Sequence, residues 1–262
     1  MRRGPPAIAA AYSATGRAWQ DGPARIYDRL AEVLVQRVPH WPGRLALDLG
    51  AGTGAASAAI RAAGGTPIAL DAAIGMLAVG RPDRPAAVAG DALALPFQNS
   101  VFDAVVAAFS LNHLLDPASG LREATRVIRS GGRLVASAYA ADDTHPVKAA
   151  VEQAAREQGW VAAEWYGALQ RDAMPHLATV ERAEAVAGAA GLAARVEAVR
   201  VAFPELTAAD LVAWRLGMPH MAWFVDALPP PGRAALAARS LDLLGESAPL
   251  ERSLIVVSAT IG

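Results

Sequence analysis

Apolar positions along the 262-residue chain change their period twice. Between residues 44 and 140, short apolar runs alternate with segments of helical spacing. The runs 44–49 (RLALDL), 67–70, 86–89, 103–109 and 133–139 predict strands, and 55–64, 72–80 and 117–129 predict helices between them. The last of these helices is the best marked. Asp116 can cap it, Pro117 suits the first helical position, and Leu121, Ala124, Val127 and Ile128 share a face, with Gly131 and Gly132 placed to stop it. Such alternation predicts a parallel sheet with helices on both faces.

The flanks read differently. Residues 1–20 are small, polar and broken by Gly and Pro, which predicts a mobile arm. A helix over 24–38 carries Ile26, Leu30, Val33 and Leu34 on one face and is ended by Pro39 and Pro42. After Ala140 come helices over 145–160, 162–174 and 179–191, and a strand over 194–203. A helical stretch over 207–245, interrupted by Pro219 and the prolines at 229–231, leads to a closing strand over 252–260. TAAD at 207–210 has the form of a helix-start cap and puts Leu211, Trp214 and Met218 on one face.

Composition narrows the function. With 53% hydrophobic and 19% charged residues the chain can build a large core, and a net charge of -1 gives no electrostatic reason to expect nucleic acid. The absence of cysteine excludes disulfides, thiolate metal sites and a cysteine nucleophile. His40, His113, His145, His176 and His220 are scattered, so no metal is expected. The first sixteen residues make a poor secretion signal, and no charge-free run of about eighteen strongly apolar residues occurs. A cytoplasmic protein with no membrane partner, monomeric or homodimeric, is the expectation.

The chemistry concentrates at LALDLGAGTGAAS, residues 45–57. Glycines at every second position after a strand free the backbone for a tight turn and let a ligand approach the start of the next helix. The spacing is not the dinucleotide fingerprint, since Ala55 stands where its third glycine belongs, and it is not a phosphate loop. Asp48 would repel a pyrophosphate but suits a sulfonium or ammonium. Asp71 ends the second strand, about 20 residues on, where ribose hydroxyls are gripped. Asp91 follows the third strand, placed to accept from an exocyclic amine, with Ala92 and Leu93 beside an adenine ring. Three acids at three successive strand ends point to one adenosyl ligand.

With LDLGAGTG (47–54), ALDAAIGML (69–77), AGDALALPFQNSVFDAVVAAFSLNHL (89–114) and LREATRVIRSGGRLVAS (121–137), the sequence resembles the class I S-adenosyl-L-methionine (SAM)-dependent methyltransferases, in particular their small-molecule, ubiquinone-biosynthesis-like branch (methyltransferase type 11). The resemblance implies a Rossmann-like, doubly wound α/β fold. Its seven-stranded sheet has order 3-2-1-4-5-7-6, with strand 7 antiparallel and helical lid insertions. It implies SAM as cofactor and S-adenosyl-L-homocysteine (SAH) as product. It divides the chain into an arm and helix closing over the site (1–43), a SAM-binding core (44–140), and lid helices with the last two strands of the same sheet (141–262). Gly50, Ala51, Gly52 and Gly54 would line the methionine part of the cofactor, with Asp48 acting on its ammonium indirectly. Asp71 would bind the ribose, Ala72 and Met76 would pack near the adenine, and Asp91 and Ala92 would face its edge. Phe109 would lie near the transferred methyl, and His113 is the candidate base, with Tyr27 as a further catalytic candidate.

The acceptor is read from what is missing and from the aromatics. The (Asp/Asn)-Pro-Pro-aromatic motif of DNA amino-methyltransferases is replaced by FSLNHL, and cytosine C5 chemistry would need a cysteine. A small, partly apolar or aromatic acceptor, methylated on O, N or C and belonging to bacterial secondary metabolism, is the expectation. Tyr12, Trp19, Tyr139, Trp165, Trp214, Met218, Met221 and Phe224 are the candidates to meet it. Two other readings stay open: a SAM-binding protein without methyl transfer, as a regulator or a cyclase-like descendant, and a nicotinamide-dependent oxidoreductase.

Overall fold

The computed structural model describes residues 6–79 and 85–262. Its centre is one seven-stranded sheet. The strands are β1 (Leu45–Leu49), β2 (Thr66–Asp71), β3 (Ala87–Ala89), β4 (Phe102–Ala108), β5 (Ile128–Tyr139), β6 (Arg195–Phe203) and β7 (Leu250–Thr260), in the order β3-β2-β1-β4-β5-β7-β6. The first five run parallel, and β7 is antiparallel to both β5 and β6. This is the topology the resemblance implies. The late strands β6 and β7 complete the same sheet rather than starting another.

Twelve helices surround the sheet among the described residues. In chain order they are α1 (Pro6–Ala14), α2 (Gly16–Asp21), α3 (Ala24–Val35), α4 (Ala55–Ala62), α5 (Ile74–Ala78), α6 (Pro117–Val127), α7 (Pro146–Glu157), α8 (Glu164–Asp172), α9 (Val180–Ala189), α10 (Ala208–Leu216), α11 (Pro219–Ala227) and α12 (Pro230–Leu244). None of them is long and apolar enough to cross a membrane.

Successive strand residues point to opposite faces, so each strand feeds two cores. Ala46, Val106, Val135 and Val256 meet α3, α4, α7, α10 and α12 on one side, through Leu30, Ile60, Val151, Leu211 and Leu236. Leu47, Val105, Leu134 and Val257 meet α6 and α9 on the other, through Leu121, Ala124 and Ala183. A fully buried Leu or Ile contributes about 1.5–3 kcal/mol relative to exposure. The apolar stripe Ile26, Leu30 and Leu34 is therefore ample reason for α3 to dock.

The start of α6 is as the sequence predicts: Asp116 accepts from the Ser119 amide at 3.0 Å and Pro117 takes the first turn. Its end is not. The helix stops at Val127, and Ile128 is already extended (φ -85°, ψ 136°), opposite Phe102 in the sheet. Gly131 and Gly132 lie inside β5, at a register shift between β4 and β5, rather than ending the helix. Gly132 is needed there, because a Cβ would sit 2.3 Å from Ile128 Cγ2.

The N-terminal segment also departs from the mobile arm expected. Residues 6–21 form α1 and α2. The backbone of α1 crosses α5 so closely that a Cβ on Gly75 would lie 1.9 Å from the Ser13 carbonyl oxygen. A Cβ on Gly217 would lie 2.6 Å from the Ala18 carbonyl oxygen, so α2 is seated in the same way at the end of α10. Two glycines far along the chain thus make the grooves that seat the first two helices.

Candidate active site

The carboxyl ends of β1, β2, β3 and β4 open into a cavity of about 1020 Å³. Open parallel sheets bind their ligands at this place, where the strand order reverses between β1 and β4.

The turn after β1 builds the first wall. Asp48, 1% exposed, accepts from the Ser57 amide at 2.7 Å and from the Ser57 hydroxyl at 2.6 Å, both on Oδ2. It thereby ties β1 to the first turn of α4 and shapes the glycine loop from beneath, while also lining the cavity. The glycines divide their tasks. Gly50 has φ +74°, and a Cβ there would collide with Ser110 Cβ at 2.2 Å, so its bareness serves packing against the β4 loop. Gly52 has φ +53°, lines the cavity, and among the described residues a Cβ on it would meet Met76 Cε at 3.4 Å, an ordinary contact. Gly54, at φ +96°, is the left-handed residue from which α4 starts.

Asp71 is the hub of the crevice. Its Oδ2 accepts from the Gly52 amide and its Oδ1 from the Ala73 amide, each at 2.7 Å. Both carboxylate oxygens are thus aimed by backbone, and each carboxylate offers about four lone-pair sites. Ala72 and Met76 line the same wall, and Asp91 and Ala92 close it at the end of β3, where Asp91 Oδ1 accepts from the Leu93 amide at 2.9 Å. Leu93 itself does not line the cavity; its contribution is that amide. An adenosyl group suits this donor set. The vicinal hydroxyls of a ribose have carboxylate acceptors to meet, Met76 offers an apolar wall for a base, and acids at three strand ends disfavour phosphate.

The second half of the cavity is aromatic. Phe109, at φ +56°, directly follows β4 and stacks on Tyr139 from β5, centroids 4.4 Å apart. Tyr27 meets both rings edge-on, at 5.4 Å and 6.2 Å, and Trp19 lies 4.6 Å from Tyr27. Burial raises the phenols of Tyr27 and, more strongly, Tyr139, which keeps both neutral. Tyr12, Trp165, Trp214 and Met218 also line this part. Met221 and Phe224 do not: both are buried in the core beneath it, because α11 turns that face inward.

His113 follows β4 in a short 3-10 turn (Leu111–His113). Its Nδ1 lies 3.3 Å from the Ser110 carbonyl oxygen and its Nε2 lies 3.0 Å from the Tyr12 hydroxyl. A carbonyl can only accept, so Nδ1 carries the proton and Nε2 accepts from Tyr12. Burial pushes the His113 pKa down and raises that of Tyr12 well above the ordinary phenol value, so both are neutral near pH 7.

A group of charges in the same cavity escaped the sequence reading. Arg252 grips Asp143 through Nε at 2.9 Å and Nη2 at 2.7 Å, and Lys148 donates to the same carboxylate at 2.9 Å. The Arg252 guanidinium lies 3.9 Å over the Tyr139 ring and 4.6 Å from that of Trp214. Arg215 reaches Glu152 at 3.4 Å and His220 Nε2 at 3.1 Å, while His220 stacks on Tyr166 at 3.9 Å. Burial and then the Arg215 charge push the His220 pKa down to about 2, so it accepts the Arg215 hydrogen bond as a neutral ring.

Residues 47–136 match a family model described as a methyltransferase domain. A demethylmenaquinone methyltransferase of Mycolicibacterium paratuberculosis is 42% identical over 127 residues, covering 44% of this chain and 55% of the relative. The chain spans about half the length of the curated relatives it matches. Among solved structures, phosphoethanolamine N-methyltransferase 2 of Haemonchus contortus, in complex with phosphomonomethylethanolamine and S-adenosylhomocysteine, superposes with TM-score 0.57 at 18% identity, over 88% of this chain and 52% of that one. The 4+2 cyclase SpnF superposes with TM-score 0.54 at 20% identity, over 90% and 81%. These structural likenesses define a shared fold.

Proposed function

We propose, from the premise that residues 47–136 are a class I SAM-dependent methyltransferase domain, that this chain transfers a methyl group from SAM to O, N or C of a small, partly apolar or aromatic molecule. The observation that carries the reading is the continuity of the cavity. Backbone-aimed carboxylates at the ends of β1 to β3 and the aromatic wall of Tyr27, Phe109 and Tyr139 line one space. Its volume of about 1020 Å³ lies at the top of the range of roughly 300–1,000 Å³ for small-molecule sites, which suits a cofactor with an acceptor beside it.

In this reading Asp71 binds the ribose, Asp91 and Ala92 face the adenine edge, and Gly50, Ala51, Gly52 and Gly54 line the methionine portion. When bound, the cofactor supplies an already activated sulfonium methyl for in-line displacement. The protein has to align an acceptor atom and receive its proton. Tyr27, Phe109 and Tyr139 form the aromatic wall beside which an aromatic acceptor lies. The acceptor proton passes to the Tyr12 oxygen as the Tyr12 hydroxyl proton moves to His113 Nε2. The helices α1 to α3 cover the cofactor, and α8, α10 and α11 cover the acceptor.

The demethylmenaquinone methyltransferases similar to residues of this chain make a quinol-like ring one acceptor class to try, beside the phenols and amines of secondary metabolism. A second reading, SAM binding without transfer, is favoured by the fold shared with a cyclase. Incubation with methyl-labelled SAM and a panel of quinols, phenols, amines and carbon acids separates the two. Labelled product and SAH support transfer. Tight SAM binding with no label on any acceptor would overturn it in favour of the second reading.

A further inference from the structure

The acceptor end of the cavity carries more buried positive charge than its carboxylates can satisfy. Arg252 and Arg215 are 2% and 5% exposed, and both line the cavity. Asp143 is shared between Arg252 and Lys148, and Glu152 pairs with Arg215 in the cavity and with the exposed Arg156 outside it, so three cavity-lining cations meet two carboxylates. After these pairings Arg252 Nη1, Arg215 Nε and the indole Nε1 of Trp214, whose ring lies near both guanidiniums, have no hydrogen-bond partner, and all three atoms are closed off from the open cavity. A buried donor left unmatched is costly, and one on a charged group more so. Nothing in the methyl-transfer chemistry above uses these three donors.

We infer that the acceptor bears an anionic oxygen, a carboxylate or an ionised phenol on a flat apolar body, seated at the cavity wall formed by Arg252, Arg215 and Trp214, with small side-chain rotations bringing their unmatched donors to it. The inference rests on the methyltransferase reading and narrows its substrate class. The Arg252 guanidinium lies against the rings of Tyr139 and Trp214, which holds its charge at the cavity wall. The acidic group supplies the acceptors the donors lack, and the aromatic walls cover the body of the molecule. For a carboxylic acid the anion is a recognition handle or itself the methylated oxygen; for a phenol the ionised oxygen is the nucleophile and needs no base.

The test uses the full chain saturated with SAH and reads binding by tryptophan fluorescence, because Trp165 and Trp214 line the cavity. One arm compares 2-naphthoate with 2-naphthamide. The other compares 4-nitrophenolate with 4-nitroanisole at about pH 8, where the nitrophenol is ionised and the Arg side chains are charged. The anion of at least one pair should bind about ten- to a hundredfold more tightly than its neutral counterpart, the range expected of hydrogen bonds to a charged group. The arm that shows the preference distinguishes carboxylate from phenolate. R215Q and R252Q should each erase most of that preference while leaving SAH affinity unchanged. R215Q is the safer variant, since R252Q leaves the buried Asp143 with the Ser253 amide and the Lys148 charge. Equal binding within both pairs would overturn the inference. A loss of SAH affinity in R215Q would also overturn it, by placing the arginine on the cofactor's own carboxylate. Failure of SAH to bind the wild-type chain would instead sink the methyltransferase reading beneath it.

Discussion

The Tyr12 hydroxyl lies 3.0 Å from Nε2 of His113, a bond that spans 101 residues and joins the first helix to the loop after β4. In the proposed transfer it gives the N-terminal segment a part in the chemistry rather than a covering role alone. Y12F keeps the ring and its edge-on contact with His113, 5.5 Å between centroids, and removes only the proton donor. If the pair relays the acceptor proton, kcat should fall about 10²–10⁴-fold with KM for SAM nearly unchanged. The pH profile gives an independent check. Burial holds His113 below its ordinary value of 6.5, so the rate should be flat above that pH and fall as protonation at lower pH turns Nε2 from acceptor into donor. H113Q should lose this acid limb. Wild-type kcat in Y12F would contradict the relay.

The seating of α1 depends on Gly75. A side chain there would run into the Ser13 carbonyl oxygen, and the backbone cannot give way cheaply. G75V should undock α1 at a cost of about 1–3 kcal/mol. Limited proteolysis should then cut within residues 6–21, and kcat should fall at least as far as in Y12F. A protected N-terminal segment in G75V would show that α1 is held elsewhere.

Asp48 is predicted to act on stability before it acts on binding. Its oxygen accepts two bonds from Ser57 in a fully buried place. D48A leaves the Ser57 amide and hydroxyl without that partner and should cost about 1–3 kcal/mol in denaturant unfolding, with S57A removing a smaller part. A change within about 0.5 kcal/mol, the range of a neutral surface substitution, would argue against the capping role.

Much of this architecture is legible in residue spacing, for reasons visible at particular positions. Strands buried on both faces read as short apolar runs, so LALDL and FDAVVAA announce β1 and β4. Acids that end such runs, Asp48, Asp71 and Asp91, converge at the crevice because parallel strands bring their carboxyl ends together. The α1 segment, PAIAAAYSA, was not legible because its alanines show no strong apolar stripe, and its docking groove is made by a glycine about sixty residues away. The end of α6 is not legible because Ile128 continues the apolar face of the helix while its backbone already pairs with Phe102. Spacing alone puts Met221 and Phe224 in the pocket, because an aromatic helix does not declare which side faces the core. The Arg252–Asp143 pair did leave a trace. In LERSLIVVSAT, Arg252 falls on the same alternate positions as Leu250, Leu254 and Val256, all buried, and a charge on an apolar face calls for a buried partner.

The account stands on the crevice between β1 and β2, where Asp71 is aimed by the Gly52 and Ala73 amides. Calorimetric titration of SAH into the wild-type chain and D71A tests it most directly. The wild type should bind one SAH with micromolar affinity, and D71A about 10–100-fold more weakly through loss of charge-assisted bonds to the ribose. The same affinity in both proteins, or no heat of binding in either, would contradict it.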